Sequence, residues 1–218
     1  MRTRPRANAV HERILERGLE LASERGVTGV TLGDLAQRAQ LSKSGLFAHF
    51  RSKEELQIEL LEVAEARITR QVVEPAMQAP SGVPRLRELM RRWLGWWART
   101  GLPGGCPLYG AAFELDDAPG PVRDHLVERH RVWMEVLARL VREAIDHGEL
   151  APDIDVEDFV WQLIGIYLAH HVSHRLTGDP QAHQRGMASF EALVAAGAAD
   201  RNPAARPPGQ HAEGRTAR

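Results

Sequence analysis

Residues 31–56 read TLGDLAQRAQLSKSGLFAHFRSKEEL, and the folding of this stretch decides the reading of the rest. Thr31 precedes Asp34 by three residues, a start that resembles a capping box. Leu32, Leu35, Ala36 and Ala39 then recur at helical spacing, which predicts a short helix over residues 32–39. The pattern breaks at Gln40 and Leu41, and Ser42 offers a fresh N-cap for a second short helix over residues 43–50. Ser52 and Glu55 form a further S-x-x-E box that starts a third helix. Two short helices joined by a turn of three or four residues make a helix-turn-helix unit, whose second helix enters a DNA major groove.

Working outward, residues 8–25 are helical in pattern, with Val10, Ile14, Gly18 and Leu21 on one stripe and Gly26 as the stop. The polar face of that helix carries Glu12, Glu16, Glu20 and Glu24, so it supports the unit but does not read DNA. Leu35-Ala36, then Leu41-Ser42-Lys43-Ser44-Gly45-Leu46-Phe47-Ala48-His49-Phe50, then Ser52-Lys53-Glu54-Glu55-Leu56, resemble the N-terminal domain of TetR-family transcriptional regulators. The resemblance covers about residues 8–60. It implies an all-α protein, with an N-terminal three-helix helix-turn-helix DNA-binding domain and a C-terminal helical ligand-binding and dimerisation domain. It also implies a homodimer, usually a repressor, that leaves a palindromic operator when a small molecule binds.

Ser42, Lys43, Ser44 and Gly45 occupy the first turn of the expected recognition helix, the end that meets base edges and phosphates. In the family pattern Lys53 and Thr31 hold phosphates at the N-termini of their helices. Phe47 stands where the family usually has Tyr, so apolar contact replaces a phenolic one. His49 completes the expected DNA-contacting set; its plainer reading is a capping or packing role. Gln40 stands where the family usually has Gly, so the turn needs a left-handed Gln or a different geometry.

Composition sets bounds. The chain has 218 residues, 43% of them hydrophobic, enough for a sizeable core. No apolar run approaches 18 residues and no h-region follows the basic N-terminus, so a soluble cytoplasmic protein without membrane association is expected. The net charge of −1 hides an asymmetry: residues 1–56 carry ten Lys and Arg against seven Asp and Glu, a net of +3, and the remainder carries −4. A slightly basic head on an acidic body suits a phosphate-binding module attached to something else.

Four segments are expected: a basic disordered arm over 1–7, the DNA-binding domain over 8–56, a ligand-binding and dimerisation domain over 57–197, and a disordered tail over 198–218. Helices are expected over 53–74, ended by Pro75, and over 84–100, 108–115, 121–147, 155–176 and 180–197. The 155–176 helix is apolar on nearly all sides, which predicts burial against both its own core and a twin subunit. The resemblance assigns the homodimer contact to this helix and the next, the eighth and ninth of the chain.

All five tryptophans lie outside the head. Trp93, Trp97, Tyr109, Phe113, His130 and Trp133 form a candidate pocket for an unidentified small-molecule effector; ordinary core packing with a satisfied histidine is the plain alternative. His170 and His174 share a helix face with His171 beside them, but no second set of ligands has matching spacing, so no metal site is expected. Cys106, the single cysteine, lies in a Gly/Pro loop and reads as structural or pocket-lining rather than redox-active. No G-x-S-x-G, P-loop or dinucleotide fingerprint is present, so neither an enzyme nor a cofactor is expected. The competing reading is a helical small-molecule-binding protein or enzyme with a vestigial DNA-binding head.

Overall fold

The computed structural model describes residues 4–40, 42, 45, 46 and 49–199, with side chains from residue 9 to residue 198. Among the described residues there is no strand. The helices are α1 (Arg4–Arg25), α2 (Leu32–Ala39), α3 (Lys53–Ile68), α4 (Glu74–Met77), α5 (Val83–Trp93), α6 (Trp96–Arg99), α7 (Pro107–Leu115), α8 (Pro121–Asp146), α9 (Val156–Arg175) and α10 (Ala182–Ala199). No described helix is long and apolar enough to cross a membrane.

Helix α1 starts at Arg4, inside the segment expected to be a disordered arm. Pro5 falls in the first turn, where a missing N–H leaves no hydrogen bond unmade, so the sequence there is a helix start rather than a breaker. Residues 1–3 of that arm and 200–218 of the expected tail lie outside the described residues; α10 itself runs to Ala199, past the expected end at 197. The head core joins Ile14, Leu15, Leu21 and Ala22 of α1 to Leu35, Ala36 and Ala39 of α2, with Leu46, Phe50, Leu56 and Leu60 completing it. Gly18 lets α1 and α3 approach: a Cβ there would stand 2.6 Å from the Leu60 side chain.

The caps form as their residues dictate. The Thr31 hydroxyl accepts from Asp34 N at 3.1 Å and donates to Asp34 Oδ2 at 2.8 Å. Ser42 Oγ accepts from Gly45 N at 3.1 Å, and Leu46 N donates to Ser42 O at 3.1 Å, as an N-cap serine does; Gly45 and Leu46 are helical. Ser52 Oγ accepts from Glu55 N at 3.0 Å, half of a capping box, while the Glu55 carboxylate accepts from Arg51 N, one residue before the cap, rather than from Ser52 N. Gln40 adopts φ 56, ψ 42, the single left-handed non-glycine among the described residues. A side chain there costs about 1–2 kcal/mol. Gln40→Gly is therefore expected to stabilise the protein by about 1 kcal/mol and raise its melting temperature by roughly 2–4 °C in a thermal scan.

Pro75 does not end the long helix. Residues Thr69–Val73 form a π-turn, with Glu74 N donating to Thr69 O, and the rod continues as α4 to Met77. Pro75 would drive its ring into the carbonyl four residues back in an α-helix; the wider turn relieves that clash. The helix expected over 84–100 is broken instead. Leu94 leaves helical geometry at ψ 112, Gly95 turns left-handed at φ 71, and α6 restarts at Trp96. With the break, Trp93, Leu94, Trp96 and Trp97 are all buried.

The body core gathers α5, the C-terminal half of α8, α9 and α10, with Trp93 stacked on Tyr167 at 4.2 Å and 14°. Asp155 caps α9 by accepting from Glu157 N and Asp158 N at 2.9 and 3.1 Å. Within one chain α9 is not buried all round: Trp161 is 72% exposed, and Val172 and Leu176 are exposed farther along.

Candidate DNA-binding head and body cavity

The loop after α1 ties head to body. Val27 O accepts from Gln57 Nε2 at 3.2 Å and Thr28 O from Lys53 Nζ at 2.8 Å, so α3 is fastened to the loop by its first two turns. From the body, Gly105 N donates to Ser23 O at 2.8 Å and Gly104 N to Ser23 Oγ at 3.0 Å. Glu114 of α7 accepts from Thr28 N at 2.8 Å and from Thr28 Oγ1 at 2.6 Å. Residues 104–114 therefore grip the C-terminal end of α1 at both ends of their own segment.

Of the expected DNA-contacting residues, Thr31, Ser42, Gly45 and Lys53 stand at helix starts in the head. The Thr31 proton is engaged by Asp34 and one Lys53 donor by Thr28, so phosphate contact requires the spare lone pairs or donors of each. His49 packs beside His11 of α1, with ring centroids 5.6 Å apart. His11 in turn bonds Glu59 at 2.6 Å. Lys43, Ser44 and Phe47 lie outside the described residues.

A cavity of about 280 Å³ opens between α3, the π-turn, α7 and α8. Trp93, Tyr109, His130 and Trp133 line it. Trp97 and Phe113 do not. Trp97 is buried against the His170, His171 and His174 rings at 5.8, 4.6 and 6.1 Å, and Phe113 is 64% exposed on the outer face of α7. The break at Gly95 accounts for the first: it rotates Trp97 away from Trp93.

Sequence spacing did not reveal the wall given by Glu65, Ile68, Thr69 and Val73. Arg129 was missed too, although Leu126, Arg129, Trp133 and Val136 recur at helical spacing on α8 and carried a signal. His130 lies on the exposed side of α8 at the cavity margin rather than in its interior.

The polar atoms at the cavity divide into spent and unspent. Glu65 Oε2 pairs with Arg129 Nε at 2.8 Å and its Oε1 with His125 Nε2 at 3.2 Å. Thr69 donates its hydroxyl proton to Glu65 O at 2.9 Å. The Tyr109 hydroxyl and the Trp133 indole N–H are buried without a hydrogen-bond partner. Burial, with Cys106 nearby, pushes the Tyr109 phenol up, so it stays protonated. Cys106 is buried in the same wall, and burial pushes its thiol up despite the backbone N–H of Tyr109 and the Tyr167 and Trp96 side chains beside it. A thiol so placed is a neutral wall rather than a ready nucleophile.

His170 and His171 pack with their charged forms disfavoured. Burial, then the neighbouring His174, His183 and His171, lowers His170 to about 4. Burial, then Arg175 and His174, lowers His171 as well. Among the described residues no group of three His, Cys, Asp or Glu side chains could hold a metal ion. A second, open groove runs along α9 and α10 past Trp161, Gly165, Ala169, Gly186 and Leu193.

A helix-turn-helix head keyed to an all-helical body with its own cavity defines a DNA-binding transcriptional regulator. Residues 14–60 match the family model for bacterial regulatory proteins of the tetR family, and residues 82–190 match the tetracyclin repressor-like C-terminal domain. The chain belongs to the TetR family of transcriptional regulators. It is 29% identical to the transcriptional regulator AcuR of Cereibacter sphaeroides over 154 residues, 69% of either chain. It is 26% identical to the HTH-type transcriptional repressor DhaR of a Mycobacterium species over 160 residues, 70% of this chain and 79% of that one. Among solved structures, a TetR transcriptional regulator from Chloroflexus aurantiacus shares the fold with a TM-score of 0.78 at 21% identity, over 88% of this chain and 95% of that chain.

Proposed function

We propose that two copies pair through α9 and α10, present their heads to a palindromic operator, and repress transcription until a small molecule enters the body cavity. The head is residues 8–56 and the body 57–197, with α3 beginning in the first and passing into the second. Thr31, Ser42, Lys43, Ser44, Gly45, Phe47, His49 and Lys53 meet the DNA. A two-fold places the recognition helices on half-sites about 34–36 Å apart, one helical turn. Repression is the direction named for DhaR. A regulator of this kind works in the cytoplasm, without an enzymatic step.

The observation that carries ligand control is the continuity of residues 104–114. Cys106, Leu108, Tyr109 and Ala112 line the cavity, while Gly104, Gly105 and Glu114 hold Ser23 and Thr28 in the head. The opposite wall is α3 and its π-turn, the rod that starts at the head. A ligand that fits better when these walls are displaced favours the arrangement in which the heads no longer match the operator; its differential affinity sets the size of the effect.

Binding-site selection from random DNA tests the reading, and recovery of a palindrome is expected. Failure to recover one favours a helical ligand-binding protein or enzyme with a vestigial head. On the selected operator, Lys43→Ala and Lys53→Ala should each weaken binding across sequences and reduce the slope of log affinity against log salt by about one, measured by anisotropy titration. An unchanged affinity for both variants removes these two contacts from the assignment.

A further inference from the structure

Resting on the reading of the cavity as the effector site, we propose that its occupant is a small uncharged molecule with an aromatic or branched apolar body and a carbonyl-type hydrogen-bond acceptor. The acceptor is held jointly by the Tyr109 hydroxyl and the Trp133 indole N–H. Both atoms are buried and unpartnered, and both rings flank Trp93, with centroids 6.5 and 5.0 Å from it. An indole N–H only donates, so the complementary group must accept. A buried donor left without a partner is costly, and an acceptor arriving with the ligand removes that cost.

Charge is set by the polar groups of the inner wall, His130 standing at the exposed margin. Arg129 and His125 occupy the two oxygens of Glu65, and the Thr69 hydroxyl donates to Glu65 O. A carboxylate ligand would find its nearest cation already paired, with a carboxylate in the same wall. An ammonium ligand would find both oxygens of Glu65 already paired and would gain nothing from the Trp133 N–H, which only donates. A neutral acceptor meets neither obstacle. Most of the remaining lining is apolar, including Ile68, Val73, Leu108, Leu126, Val132 and Val136, which suits an apolar body.

Size follows from the volume. About 280 Å³ is nearly twice the roughly 150 Å³ that accepts a benzene in an engineered apolar cavity, so a single substituted ring or a short branched chain fits.

The test uses the full chain and three probes of nearly equal shape: acetophenone, ethylbenzene and benzoate. Because Trp93 and Trp133 line the cavity, intrinsic tryptophan emission reports occupancy directly. Acetophenone is expected to bind at least tenfold more tightly than either ethylbenzene, which lacks the acceptor, or benzoate, which carries a charge. Tyr109→Phe and Trp133→Phe should each lower acetophenone affinity about tenfold while changing ethylbenzene affinity less than threefold, with Trp93 still reporting in the second variant.

Benzoate or ethylbenzene binding as tightly as acetophenone overturns the assignment, as does no emission change with any probe at millimolar concentration. The three-probe comparison on the unaltered protein decides this even if a variant fails to fold. A separate anisotropy titration on the selected operator isolates the underlying reading: acetophenone that binds without releasing DNA upholds the ligand class and removes the effector role.

Discussion

Trp161→Glu is expected to convert a dimer to a monomer and to lower operator affinity at least a hundredfold. Trp161, Gly165, Leu168, Val172 and Leu176 recur at intervals of three and four along α9, one helical face; Trp161, Val172 and Leu176 are the well-exposed large side chains on it. A Cβ on Gly165 would meet nothing within 4 Å in its own chain, so that face has room for a second helix. Burying a tryptophan removes roughly 150–250 Å² from water, about 4–6 kcal/mol at 25 cal/mol per Å². A two-fold interface contains that contact twice. The substitution exchanges each copy of that contact for a carboxylate that the interface would have to bury. Because Trp161 is already exposed in the single chain, the protomer should remain folded, which circular dichroism checks. Sedimentation and operator anisotropy then read assembly and binding. A dimer that survives Trp161→Glu would move the interface to another surface.

Gly104→Ala should produce the second large effect. A Cβ at Gly104 would stand 1.7 Å from Ser23 O and 2.0 Å from its carbonyl carbon, and these are backbone atoms that do not swing aside. The loop must lift from the end of α1, breaking the hydrogen bonds from Gly104 and Gly105 to Ser23. Overpacking of about 1–3 kcal/mol together with about 1 kcal/mol of lost hydrogen bonding gives a destabilisation of roughly 2–4 kcal/mol. A fall in melting temperature of roughly 5–15 °C follows. Gly101→Ala is the control: its φ of 77 is unfavourable, but nothing lies within 4 Å, so about 1 kcal/mol is expected. With the grip on α1 loosened, a ligand bound in the cavity should lose most of its effect on DNA affinity. A variant that melts like the parent and still responds to ligand would mean that the rod alone carries the signal.

Local chemistry makes the head legible in the sequence. Thr31, Ser42, Ser52 and Asp155 all cap helices as residue type and spacing suggest, and the left-handed geometry at Gln40 follows from the place it takes in the turn. What escapes such reading depends on partners distant in sequence. Helical spacing shows that Trp93 and Trp97 share a face only while the helix is continuous; the break at Leu94 and Gly95 sends Trp97 to the histidine rings instead. Spacing puts Phe113 among the aromatics without showing which side of α7 meets the body. Glu65 and Thr69 read as surface residues of a lever, since nothing local reveals that α8 closes over them. The grip of Glu114 on Thr28 joins residues 86 apart, beyond the reach of any periodicity.

The π-turn at Thr69–Val73 has a geometric corollary. One residue more than an α-helix needs is wound into the rod there, and each residue of an α-helix turns the chain by about 100°. The two parts of the rod are therefore out of phase by about that angle, and the surplus residue sets which side chains of α4 turn toward the body: Ala76 is buried there. A chain that lost it would keep the grip of residues 104–114 on the head yet present a different face of α4 to α5, so the end of the rod is registered by a count of residues while the head is held by contacts.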